Sequence, residues 1–142
     1  MLRKLIRVSL VAALGLTATL LAYGAATASP QDKKDEVPDI KEIMAKGHKG
    51  TDAYLAKIKT ATKDGKWEDA QKYAKTLAFF GEALGKNKPS KGDADSWKAL
   101  CEKYAASTKA VLEAADKKDA KGVNAGLAAI GGSCGACHKA HK

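Results

Sequence analysis

The chain has 142 residues, 25 of them basic and 16 acidic, a formal net charge of +9 and 6% aromatic residues. Its lysines are mostly single and scattered among acids, with no aromatic–basic cluster, so nucleic acid is excluded as the expected partner. No Ser-His-Asp grouping, carboxylate pair or phosphate loop is present, and the expectation is a protein that is not an enzyme.

Taken in chain order, the first element is a targeting segment. Arg3, Lys4 and Arg7 precede an uncharged apolar run over residues 8–22, and Ala26-Thr27-Ala28 then supplies small residues ahead of Ser29-Pro30. Charge, apolar core and an A-x-A site read as a cleavable secretory signal over residues 1–28. The run is short for a membrane span, which takes about 20 residues, and no cysteine follows it to carry a lipid. Cleavage leaves 114 residues beginning at Ser29 and lowers the net charge from +9 to +6 by removing the three basic residues. The expected location is the periplasm, with no membrane attachment after cleavage. Residues 29–36 are expected to be a flexible N-terminal segment and residues 37–142 one helical domain.

Four helical stretches follow. The first is expected over about residues 38–63, with Ile40, Met44, Gly47, Thr51, Tyr54, Leu55 and Ile58 on one face and Asp64-Gly65 closing it. The second covers about residues 67–87, with a stripe of Ala70, Ala74, Leu77, Phe80 and Leu84, and stops before a Pro89 loop. The third covers about residues 94–116 behind Asp93 as N-cap, with Trp97, Leu100, Tyr104, Thr108, Val111 and Ala115 inward. The fourth starts near Asp119 and carries Val123, Leu127, Ile130, Cys134 and His138 on one stripe, with Gly131-Gly132 expected to loosen it. Four amphipathic helices with short connections predict an all-α fold, an antiparallel up-and-down four-helix bundle with its cofactor site in the core. Few aromatics and abundant alanine make that core thin, and a large apolar cofactor would fill it.

The chemistry-bearing motif is Cys134-Gly135-Ala136-Cys137-His138 near the C-terminal end of the last helix. C-x-x-C-H reads as covalent attachment of haem c. Two thiols on one helical turn can each form a thioether with a vinyl group of the same porphyrin, and His138 then offers a proximal nitrogen to the iron. A thioredoxin-like pair would need a preceding strand and a βαβ pattern. A zinc site from Cys134, Cys137, His138 and His141 is too cramped, since structural zinc draws its second ligand pair from a distant segment. A Cys134–Cys137 disulfide would close a tiny loop for little gain. Cys101 is left over, either as a buried small hydrophobe or as a thiol for intermolecular pairing or reaction.

What stands opposite His138 decides function. Met44 on the first helix is the favoured distal iron ligand, and His48, four residues on and nearly on the same face, is the alternative. Met or His there gives a saturated iron suited to electron transfer, and Met raises the potential. His141 is too near His138 to reach the other side of the ring and is expected at the surface or as a secondary contact.

This layout resembles the class II cytochromes c, the cytochrome c′ and cytochrome c556 family. The resemblance rests on C-x-x-C-H near the end of the last helix, on Lys142 four places after His138, and on Met44 within Ile43-Met44-Ala45-Lys46 of the first helix. The Gly47-His48-Lys49-Gly50 run departs from the family pattern. The resemblance implies a four-helix bundle with one haem c per chain. It also implies either a low-spin electron carrier with Met44 on the iron or a cytochrome c′-like protein with an open sixth position that binds nitric oxide or carbon monoxide. The leading expectation is a periplasmic one-electron carrier whose lysines steer acidic redox partner proteins. A homodimer, as in many relatives, would need an outward apolar strip to which Phe79 could belong.

Overall fold

Three aspartates start three of the helices in the same way. Asp39, Asp93 and Asp119 accept hydrogen bonds from the backbone N–H groups of Glu42 (2.6 Å), Ser96 (2.8 Å) and Gly122 (3.0 Å). Each satisfies a donor that the first helical turn leaves orphaned. The computed structural model describes residues 37–142; the expected signal peptide and the segment 29–36 lie outside the described residues. Over the described residues the chain is all-helical: α1 (Ile40–His48), α2 (Tyr54–Lys63), α3 (Trp67–Leu84), α4 (Ala94–Asp116) and α5 (Ala120–His141). No helix among them is long and apolar enough to cross a membrane.

The expected first helix over residues 38–63 is two helices. Gly50 takes φ +82°, the left-handed conformation that ends a helix at low cost only for glycine. Lys49 caps α1 by donating its N–H to the Ala45 carbonyl at 3.3 Å, and the chain restarts at Ala53. Two glycines within four residues, followed by Thr51 and Asp52, make this the weakest helical stretch of the segment. Gly131-Gly132, by contrast, does not loosen the last helix: α5 runs unbroken through both. Packing of α5 against α4 outweighs their low propensity.

The core is built from Ile43, Ile58, Leu77, Val111, Val123 and Ile130, all fully buried, with Phe80, Trp97 and Tyr104 as its rings. Helices α2, α3, α4 and α5 each pack on the next, and α2 also meets α5, while α1 packs against α2 and α3. This arrangement is compatible with a helical bundle. The α4–α5 connection turns on Lys118, a non-glycine residue at φ 55°. There Asp119 N–H donates to Ala114 O (2.9 Å) and Lys118 N–H to Ala115 O (3.0 Å), the paired bonds of a Schellman ending.

The C-terminus is pinned. His141 is 5% exposed, which corrects its placing as a surface residue. Its Nδ1 donates to the Lys91 carbonyl (3.1 Å), and its Nε2 lies 3.1 Å from the Ser96 hydroxyl. The ring stands edge-on to Trp97, with centroids 5.3 Å apart, and Ser90 donates to the His141 carbonyl (3.1 Å). Gly92, at φ +92°, leaves the space this ring occupies, because a Cβ there would overlap it. The α3–α4 loop therefore holds the end of the helix that carries the cysteine motif.

Candidate functional site: a cleft between the first and last helices

Spacing on a continuous helix sets one side of the site. Cys134, Cys137 and His138 sit at i, i+3 and i+4 of α5 and share a face. They line a cleft of about 70 Å3 together with Met44 and His48 of α1, Leu84 of α3, Leu100 and Tyr104 of α4, and Ser133. All five residues singled out in the sequence thus meet at one place. Met44 and His48 come from one helix, four residues apart, and face the cysteine motif of another.

The thiols are free. Cys134 is exposed and Cys137 half-buried, and the Cys134 thiol donates to the Ile130 carbonyl at 3.4 Å. Burial pushes the Cys137 thiol up from its ordinary pKa, and the neighbouring Cys134 adds to the effect. Cys101 is buried, as the small-hydrophobe reading holds. Burial, and then Cys137, raise its pKa to about 11, so it is a poor nucleophile at neutral pH.

One residue of the site was visible in the sequence only as core. Tyr104 is 6% exposed, and its hydroxyl lies 2.7 Å from Nε2 of His48, fifty-six positions away in the chain. The two rings are tilted, with centroids 5.6 Å apart. Burial, then Cys134, raise the Tyr104 phenol above its ordinary range, which keeps its proton in place. Burial, then His138, lower the His48 pKa, favouring the neutral ring. A buried tyrosine hydroxyl needs a polar partner, and that requirement was the available signal for Tyr104.

The side chains that meet in the cleft, two thiols, two imidazoles and a thioether, are ones that could hold a covalently attached macrocycle. Both ring nitrogens of His141 are engaged by Ser96 and Lys91, so the four-residue zinc set is not assembled. Among the described residues, no three His, Cys, Asp or Glu side chains converge to hold a bare metal ion. A porphyrin supplies four of the iron's ligands itself and asks the protein for only one or two. Met44, Leu84, Leu100 and Tyr104 give the cleft an apolar wall suited to a macrocycle. At about 70 Å3 the cleft has room for a handful of waters, less than a porphyrin requires. Its α1 wall is a nine-residue helix that packs on α2 and α3 and ends just before the Gly50 break.

No family model, curated protein or solved structure matches the chain.

Proposed function

We propose that this chain is an exported periplasmic c-type cytochrome of the class II type, a one-electron carrier and not an enzyme. The observation that carries the reading is the cleft itself, in which a C-x-x-C-H face on α5 opposes a thioether and an imidazole on α1. In this reading α2 to α5 are the antiparallel up-and-down bundle, and α1 with α2 is its first arm, broken at Gly50. Cys134 and Cys137 hold the haem through two thioethers, His138 is the proximal ligand and Met44 the distal one. When bound, the haem supplies a ferric–ferrous couple whose potential follows ligand identity, burial and hydrogen bonding. Leu84, Leu100 and Tyr104 exclude water from one side of the site, and the half-buried Cys137 ties it to the core. Exposed Lys46 and Lys139 lie on the two helices that carry the site, and Lys49 and Lys142 cap their C-terminal ends, where positive charge attracts an acidic redox partner.

A second reading is gas binding at an open sixth position: Tyr104 engages His48, one of the two side chains that α1 presents to the cleft, so the position is open wherever Met44 does not close it. The deciding experiment is an absorption spectrum of the exported protein, ferric and ferrous, with and without carbon monoxide. A low-spin spectrum with the weak red iron–sulfur band, unchanged by carbon monoxide, is expected. A high-spin spectrum shifted by carbon monoxide establishes the gas-binding reading instead. A colourless protein, made in cells that possess the haem-attachment machinery, overturns both.

A further inference from the structure

Two side chains on α1 could serve the distal position, and the sequence alone leaves the choice open. The structure separates them. His48 Nε2 is engaged by the Tyr104 hydroxyl at 2.7 Å, whereas Met44 lines the same cleft with no hydrogen-bond partner to give up. We propose that Tyr104 is a positioning residue that holds His48 off the iron and so selects Met44 as the second axial ligand.

The inference rests on the haem reading above and adds to it a residue from α4 that neither the motif nor the α1 pattern contains. The shared hydrogen blocks coordination whichever atom carries it. If the phenol donates, the in-plane lone pair of Nε2 is occupied. If Nε2 donates, it bears a hydrogen and has no lone pair to give. Nε2 is also the imidazole nitrogen farther from the main chain, the one with reach across a cleft. Tyr104 is held firmly enough for the task, because its ring is 6% exposed and belongs to the buried core. Releasing His48 would strand the buried Tyr104 hydroxyl without a partner, which opposes the exchange. Met44 meets no such opposition, since a thioether is soft, flexible and only weakly hydrogen-bonding.

The test compares the holoprotein with Tyr104→Phe, which keeps the ring and deletes the hydroxyl. Haem content is measured first by the alkaline pyridine spectrum, which reads thioether-linked haem regardless of axial ligands; absence of haem from the wild type refutes the underlying reading. With haem present in both proteins, wild type is expected to show the red iron–sulfur band. Tyr104→Phe is expected to lose that band, gain a bis-histidine spectrum and fall in reduction potential, because exchanging Met for His lowers it. The double variant His48→Gln, Tyr104→Phe is expected to recover the band, a rescue that a merely structural role for Tyr104 would not produce. Nitrogen chemical shifts of the His48 ring in the haem-free chain give a second readout, and they should move on Tyr104→Phe. Retention of the band in Tyr104→Phe with full haem content overturns the inference, as does a wild type that is already bis-histidine.

Discussion

His141→Ala is the substitution whose effect the structure fixes most tightly. The side chain is 5% exposed and makes two hydrogen bonds, to Lys91 O and Ser96 Oγ. Each is worth about 1 kcal/mol net. The edge-on contact with Trp97 adds roughly 0.5–1.5 kcal/mol. Alanine would keep the backbone bond from Ser90 but leave the Lys91 carbonyl without its side-chain donor and a void beside Trp97. The expected loss is about 2–4 kcal/mol, at the upper end for single substitutions. For a domain near 100 residues this lowers the Tm by on the order of 10 °C or more. Urea unfolding followed by circular dichroism measures it as a shift in midpoint at constant slope. Ser96→Ala removes one of the two bonds and should cost about 1 kcal/mol. If His141→Ala cost less than about 0.5 kcal/mol, the clamp would be a surface contact of the kind such small changes mark, and the account of a pinned α5 terminus would fall.

Three further outcomes can be read by the same unfolding measurement. Gly81→Ala places a Cβ against the fully buried Thr108 side chain and 3.1 Å from the Ala105 Cα. The overpacking should outweigh the gain in helix propensity by about 1 kcal/mol, and a stabilised variant would show that α3 and α4 can separate freely. Lys118→Gly relieves the left-handed backbone at φ 55° and should stabilise by about 0.5 kcal/mol after the unfolded-state entropy of glycine is counted; a destabilised variant counts against that strain. His48 has its pKa held below 6.5 in the fold, so as pH falls through 6.5 the unfolded chain takes up this proton first and stability drops. His48→Gln should flatten the haem-free chain's loss of stability between about pH 7.5 and 5, and an unchanged slope would refute burial as the cause.

What could be read from the sequence follows the range of the physics involved. Cys134, Cys137 and His138 were legible because spacing within one helical turn fixes their shared face whatever surrounds them. Asp93 and Asp119 were legible as caps, since an N-cap acts over three residues. The α1–α2 break was carried by the same Gly47-His48-Lys49-Gly50 run that departs from the family pattern, but apolar periodicity on both sides argued for continuity. Gly50 decides the matter through a φ angle that periodicity does not encode. Gly131-Gly132 misled in the opposite sense, because tertiary packing along α4 holds a stretch whose local propensity is poor.

Contacts between distant segments were the illegible part, and they determine how the site would work. His141 looked peripheral because it is too near His138 to reach the other side of a haem; its partners are Lys91, Ser96 and Trp97, forty-four to fifty residues earlier. Tyr104 looked like any inward aromatic until its hydroxyl was found against His48. The two cases act on the two helices that the cleft brings together, His141 on α5 and Tyr104 on α1. His141 fixes the end of α5, the helix that carries the cysteine motif. Tyr104 reaches α1, which also packs on α2 and α3 through the fully buried Ile43, by the polar bond to His48. If the proposed haem is bound, its distal ligand would be set less by which side chain is nearest than by which one the hydrogen bond leaves free, which on the proposal above is Met44.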